Sequence, residues 1–140
     1  MPLAMRMPTT EAGVGGLSGL KVLVVDDQPD ILFCTGYLLM LKGAEVRTAA
    51  SASEAWKMLK SYTPDVVLSD LCMPEIDGFQ FLERARSTFK DSCPPAVVLS
   101  AESTPEYRER ATRAGFSAYL VKPIDQKELT SVVANLAGRS

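Results

Sequence analysis

After Leu20, hydrophobic residues occur in short unbroken runs that alternate with stretches of helical periodicity. Unbroken runs are typical of parallel strands that are covered by helices on both faces. The predicted strands of this kind are Lys21–Val25, Val66–Leu68, Ala96–Leu99 and Tyr119–Val121. The segment Glu45–Ala49 instead alternates polar and apolar residues, as a half-exposed edge strand does. The pattern therefore predicts five strands.

Helix start and stop signals lie between the strands. Pro29 suits a first helical turn and Gly43 a C-terminal cap, which predicts helix 1 near 29–42. The later helices are predicted to open at Ser51–Glu54, near Gly78, at Thr104–Pro105 and at Asp125–Glu128. Gly115 closes helix 4, in which only Tyr107, Ala111 and Ala114 are placed to face inward.

Strict alternation of strands and helices implies a doubly wound α/β fold, a parallel sheet with helices on both faces. Right-handed crossovers restrict the topology. The alternating strand 2 belongs at one edge, and strand 5, which has the least apolar bulk, at the other. We therefore predict the flavodoxin-like (βα)5 fold, with strand order 2-1-3-4-5.

The domain itself is expected to span residues 20–137, followed by a tail at 138–140. Residues 1–19 are predicted to be a flexible leader because four of the nine glycines lie there. The Gly-Val-Gly-Gly stretch of this leader is not a phosphate loop, since it precedes the first strand.

Composition narrows the class of protein. The chain has 140 residues, 46% hydrophobic and 23% charged, with a net charge of −2. This charge argues against nucleic acid or an anionic membrane as the main partner, and no apolar run reaches the ~18 residues of a membrane span. Three cysteines without a C-x-x-C pair fit a reducing cytoplasm. There is no histidine, so any histidine-dependent step must use another molecule.

Polar residues follow four of the predicted strands, at the sheet edge where ligands bind in open parallel sheets. They are Asp26 and Asp27 after strand 1, Asp70 after strand 3, Ser100 after strand 4 and Lys122 after strand 5. Each alone could be a helix cap or a loop residue. Together, clustered carboxylates cost free energy unless a cation compensates them.

A hard cation together with Lys122 would supply this compensation. Magnesium binds carboxylates and phosphate oxygens, and a carboxylate can act as a nucleophile that forms an aspartyl phosphate. The metal and the ammonium would neutralise charge on the transferring group. The Ser100 hydroxyl is placed to hydrogen-bond a phosphoryl oxygen.

The motifs occur in a fixed order, each at a strand end: Val-Leu-Val-Val-Asp26-Asp27, Asp-Val-Val-Leu-Ser-Asp70 with Met73-Pro74 and Asp77-Gly78, Leu-Ser100-Ala101, and Tyr119-Leu-Val-Lys122-Pro123. In this order they resemble the receiver domain of two-component response regulators, either a single-domain receiver or that of a hybrid kinase. The resemblance covers essentially all of residues 20–137.

The resemblance implies a role for each of these residues. Asp70 would be the phosphoacceptor, and Mg²⁺ would be held by Asp26, Asp27, Asp70 and the backbone carbonyl of Cys72. Ser100 would be the switch hydroxyl, Lys122 would pair with phosphoryl oxygens, and the bond before Pro123 would be cis. Tyr119 resembles the family's switch aromatic, although a plain edge-strand aromatic is an equal interpretation.

The function implied is that of a signalling phosphoacceptor, not an enzyme, that assists its own phosphorylation and dephosphorylation. A histidine kinase or histidine phosphotransfer protein would donate the phosphoryl group, and a helix 4–strand 5–helix 5 surface would contact a downstream protein. A homodimer through that surface stays open, as does a receiver-fold scaffold without phosphoryl turnover. A haloacid-type phosphatase is disfavoured because Asp70-Leu-Cys72 lacks its Asp-x-Asp motif.

Two side chains near the phosphoacceptor carry further hypotheses. A redox role for the Cys72 thiol is a minor alternative to a small loop-filling residue. Glu102, two residues after Ser100, is a candidate for tuning the phosphoryl lifetime.

Overall fold

A computed structural model describes residues 16–73 and 75–138. Within them lie the strands β1 (Lys21–Val25), β2 (Glu45–Ala49), β3 (Val66–Asp70), β4 (Ala96–Ser100) and β5 (Ala118–Val121). The helices are α1 (Pro29–Leu41), α2 (Ala52–Leu59), α3 (Gly78–Phe89), α4 (Pro105–Ala114) and α5 (Gln126–Leu136), with a 3₁₀ turn at Lys90–Ser92. No helix in the described ranges is both long and apolar enough to cross a membrane.

The five strands form one parallel sheet in the order β2-β1-β3-β4-β5. The predicted fold class and strand order are thus confirmed. In the register, Val25 lies opposite both Ala49 and Ser69, and Ser100 lies opposite Val121. The carboxyl ends of β1, β3, β4 and β5 therefore meet at one edge of the sheet, where Asp70 and Ser100 are the last residues of β3 and β4 and Asp26 and Lys122 directly follow β1 and β5.

Successive side chains of the strands point to opposite faces and build two hydrophobic clusters. Leu23 and Val98 pack on the face covered by α2, α3 and α4. Val24 and Leu68 pack on the other face with residues of α1 and α5. Every residue of β3 and β4 is buried, which is why these strands show no polar alternation in the sequence.

Side-chain caps fix the starts of α2, α3, α4 and α5 close to the predicted positions. The Ser51 hydroxyl accepts from the Glu54 N–H (3.1 Å), but the Glu54 carboxylate accepts from the Ala50 N–H, one residue before the cap. The reciprocal bond of a capping box is therefore shifted there. A complete capping box occurs instead at α3, between Asp77 and Gln80.

Packing onto the sheet begins before Leu20. Leu17 is fully buried in the cluster with α1 and α5, and its N–H donates to the Lys42 carbonyl (3.0 Å). The end of the segment assigned to the leader thus belongs to the packed domain. Residues 1–15 of that leader and residues 139–140 of the tail lie outside the described residues.

Candidate functional site

Three carboxylates converge at the carboxyl edge of the sheet. Oxygen atoms of Asp26, Asp27 and Asp70 all lie within 4.8 Å of one another. Asp26 is fully buried and Asp70 is 6% exposed, whereas Asp27 is partly exposed. The cluster follows from the fold, because β1 and β3 are parallel neighbours that end side by side.

Lys122 reaches this cluster from the far edge of the sheet. Its Nζ lies 3.0 Å from Asp26 Oδ2 and 3.4 Å from Asp70 Oδ1, and its side chain is 14% exposed. The Lys122 N–H donates to the Ser100 carbonyl (2.8 Å), which extends the β4–β5 pairing to the lysine. The Lys122–Pro123 peptide bond is cis. One ammonium is therefore shared between two carboxylates.

Ser100 ends β4 and is 2% exposed. Its hydroxyl oxygen accepts from the Glu102 N–H (3.0 Å). The Tyr119 hydroxyl donates to the Glu102 carbonyl, and the Arg108 guanidinium lies 4.8 Å from the centre of the Tyr119 ring. The backbone of Glu102 thus links the buried hydroxyl to a tyrosine on β5, which lies beside α4 and does not join the acidic cluster.

The environment of Asp70 disfavours its ionised form. Burial raises the pKa of its carboxyl above the ordinary value, and the negative charge of Asp26 raises it further. Lys122 and the backbone N–H of Cys72 oppose this rise without cancelling it. A further positive charge beside Asp70 would therefore be strongly favoured.

The donor set of the cluster fits a hard divalent cation. In the part of the chain that the structure describes, three carboxylates meet a single ammonium, that of Lys122. Carboxylate oxygens are ligands that Mg²⁺ prefers, and this ion keeps further positions for water or phosphate oxygens. The residues present are thus those that a magnesium site would need.

The Cys72 side chain is exposed. Although the residue is exposed overall, desolvation by the surrounding loop raises the pKa of its thiol, and the neighbouring charges of Asp70 and Glu102 act in the same direction. A raised pKa lowers the fraction of reactive thiolate. The raised pKa therefore argues against a redox role for this exposed thiol.

Two residues contribute to the site in ways that sequence reasoning missed. The Gln28 N–H donates to Asp26 Oδ1 (2.9 Å) and so orients the buried carboxylate. The sequence signal for it was an aspartate two residues before the N-cap position of a helix. Gly78 packs directly on the backbone of Asp70 and Leu71, where a Cβ would overlap their atoms. Its position at the start of α3, next to the Asp77 cap, gave no hint of this contact.

Comparison with known proteins agrees with this geometry. The sequence profile of the response regulator receiver domain matches residues 22–134. An uncharacterised 14.6 kDa protein of Leptolyngbya boryana is 40% identical over 117 residues, which cover 84% of this chain and 89% of that protein. Response regulator Rre1 of Synechocystis is 36% identical over 121 residues, or 86% of this chain, and the chain spans about half (52%) of its length.

Solved structures show the same likeness. The Vibrio cholerae chemotaxis protein CheY4 superposes with a TM-score of 0.78 at 31% identity, covering 86% of this chain and 98% of CheY4. Since the matched profile spans most of the chain, the family is established. The chain belongs to the response-regulator receiver domains, the signalling domains of two-component signal transduction.

Proposed function

We propose that this protein is a phosphorylation-controlled switch that accepts a phosphoryl group on Asp70. The observation that carries the proposal is the position of the Asp70 carboxylate, in contact with the Lys122 ammonium and grouped with two further carboxylates. The chain has no histidine, so the phosphohistidine donor would be a separate histidine kinase or histidine phosphotransfer protein.

In the transfer step, a carboxylate oxygen of Asp70 attacks the phosphorus of the phosphohistidine. The new O–P bond forms as the P–N bond breaks, and the electron pair of that bond goes to the imidazole nitrogen, which then takes up a proton. Lys122, 3.4 Å from Asp70 Oδ1, pairs with the phosphoryl oxygens. The protein's main contribution is to position the group and to neutralise its charge.

Asp26, Asp27, Asp70 and the backbone carbonyl of Cys72 would hold Mg²⁺. When bound, the ion supplies positive charge to the transferring group. The protein's own residues prepare this site, since Gln28 and Lys122 fix the orientation of the Asp26 carboxylate. Burial, and after it the negative charge of Asp26, raises the pKa of Asp70, and a bound cation would offset both effects.

The outer face of α1 is where we infer that the donor protein docks. The large hydrophobic side chains that are exposed in the described residues all lie on this helix: Phe33, Tyr37, Met40 and Leu41. The rings of Phe33 and Tyr37 stack at 6.2 Å, beside an apolar groove of about 380 Å³ between α1 and β2. A contiguous apolar face of this kind is typical of protein-binding surfaces. Because α1 begins just after Asp27, a protein on this face would lie close to the acidic cluster.

The link from Ser100 to α4 supports output through the α4–β5–α5 surface. Movement of the Ser100 hydroxyl toward a phosphoryl oxygen would break its bond with the Glu102 N–H, and Glu102 in turn holds Tyr119. Helix α4 buries Ala111 fully, and Tyr107 and Ala114 partly. A thinly anchored helix shifts at low free-energy cost, which suits a switch driven by local charge.

The three cysteines are free thiols, and this is consistent with the cytoplasmic location that we propose.

The assignment of the phosphoacceptor is tested by incubating the protein with Mg²⁺ and a small acyl phosphate, followed by hydride reduction. Reduction converts an aspartyl phosphate to homoserine, which peptide mass spectrometry locates. We expect homoserine at position 70. Homoserine at position 26 or 27 would refute the assignment, and an unmodified chain would favour a scaffold without phosphoryl turnover.

A further inference from the structure

A second cavity, a groove of about 800 Å³, lies between α3 and α4. None of the acidic-site residues line it. Its charged lining residues are four cations and two carboxylates: Arg86, Lys90, Arg110, Arg113, Glu83 and Asp91. The groove therefore has a net charge of +2, whereas the whole chain has a net charge of −2. A positive groove on an acidic protein favours an anionic occupant.

Two of the guanidinium groups are held in place by specific contacts. Arg86 Nη1 donates to the Ala114 carbonyl at the C-terminal end of α4 (3.2 Å). The Arg86 side chain lies over Gly115, where a Cβ would overlap it. The Arg110 guanidinium stacks on the ring of the buried Phe79, 4.0 Å from its centre. Side chains that are already ordered lose little conformational entropy when a ligand binds.

The cations are arranged in two rows. Arg86 lies in the last turn of α3 and Lys90 directly follows that helix, whereas Arg110 and Arg113 are about one turn apart along α4. From Phe79 to Phe89 the helix rises roughly 15 Å, the length of about five extended residues. Two spaced rows suit a ligand that carries several separated negative charges better than a single compact anion.

We propose that the α3–α4 groove binds an acidic peptide segment of a partner protein. Carboxylates of that segment pair with the guanidinium groups of Arg86, Arg110 and Arg113 and with the Lys90 ammonium. Glu83 and Asp91 repel a carboxylate placed beside them and so restrict the register of the segment. This surface is separate from the apolar face of α1, and the proposal does not depend on phosphorylation.

The test uses the full chain labelled with ¹⁵N and a capped hexaglutamate peptide, with nuclear magnetic resonance as the readout. We expect the largest shifts in the amide and arginine side-chain signals of the groove. The double variant Lys90→Glu/Arg113→Glu changes two exposed groove residues and is expected to weaken peptide binding at least about tenfold. The control Lys57→Glu/Lys127→Glu makes the same change in net charge outside the groove, and we expect binding to weaken less than about twofold.

Circular dichroism of both double variants verifies that they are folded. An equal loss of binding in the two would reveal non-specific attraction and overturn the proposal, as would the absence of shifts in the groove. Inorganic tripolyphosphate is titrated in parallel. If it shifts the groove signals while the peptide does not, the groove is a site for small polyanions, and the peptide proposal is wrong.

Discussion

The Lys122 ammonium lies 3.0 Å from the carboxylate of Asp26, which is fully buried. The two residues are separated by nearly the whole domain in sequence, and the parallel sheet brings them together. A buried carboxylate is tolerated in a folded protein only when it is paired and hydrogen-bonded. Lys122 and the Gln28 N–H meet this requirement for Asp26. The same ammonium lies farther from Asp70, at 3.4 Å from its Oδ1, and the pKa of the Asp70 carboxyl is raised.

Removal of the ammonium should therefore destabilise the fold. Lys122→Met leaves the Asp26 carboxylate buried without its ionic partner, and we expect a loss of about 3 kcal/mol in the free energy of unfolding. Urea denaturation at neutral pH measures it. In an Asp26→Asn background the same substitution should cost much less, because the partner charge is gone. An equal loss in the free energy of unfolding in both backgrounds would show that Lys122 and Asp26 are not energetically coupled.

Asp70 should make stability depend on pH in an unusual direction for a carboxylate. Its pKa is raised in the folded protein, so the folded state binds the proton more tightly than the unfolded state does. The stability that this proton contributes is complete below the ordinary pKa of 3.8 and is lost as the pH rises through the folded value.

Asp70→Asn, which cannot ionise, should consequently be more stable than the wild type at neutral pH in the presence of a chelator. We expect the midpoint of its thermal unfolding to lie about a few degrees above that of the wild type. Thermal melts across the acid range should show the two midpoints converging as the pH falls. A difference that is independent of pH would argue against a raised pKa.

Substitution of Gly78 tests how closely the start of α3 packs on the backbone that carries Asp70. Gly78→Ala places a Cβ against the backbone of Asp70 and Leu71, and we expect it to destabilise the protein by about 1–3 kcal/mol. Gly36→Ala is the matched control, because a Cβ there meets Val46 Cγ1 at an ordinary 3.5 Å. That control should be neutral or stabilising by up to about 1 kcal/mol, from helix propensity. Equal effects in the two variants would contradict the close packing at Gly78.

If the donor protein docks on the apolar face of α1, a substitution on this face should slow phosphoryl transfer from a donor protein but not from a small molecule. Tyr37→Ala removes an exposed ring that stacks on Phe33. Transfer from a histidine-phosphorylated donor protein should become about tenfold slower, while phosphorylation by a small acyl phosphate should be unchanged. A stopped assay with each donor measures the two rates. The docking role fails if both rates fall together or if neither changes.

The strand order was predictable because burial leaves a clear signature in the strands. β2 alternates and lies at an edge, whereas β3 and β4 begin with unbroken apolar runs, Val66–Leu68 and Ala96–Leu99, and lie inside the sheet. The polar residues that follow the strands then had to meet at one edge, and Asp26, Asp70 and Lys122 do so. For these features, local pattern and tertiary packing agree.

Features without a local pattern were not predictable. Leu17 is a single apolar residue among glycines, so no periodicity marks its burial. Helix α1 has no charged residue between Ile31 and Leu41, and its buried and exposed faces therefore look alike in sequence. The orientation of Arg86 over Gly115 depends on how α3 and α4 are juxtaposed, which neither helix encodes alone.

Intact mass spectrometry after incubation with a small acyl phosphate tests the central claim most directly. The wild type should gain a single phosphoryl adduct in the presence of Mg²⁺ and none in the presence of a chelator. Asp70→Asn should gain none under either condition, although it retains Asp26, Asp27 and Lys122. A wild-type adduct that forms without Mg²⁺, or an equal adduct on Asp70→Asn, would contradict the account of Asp70 as a metal-dependent phosphoacceptor.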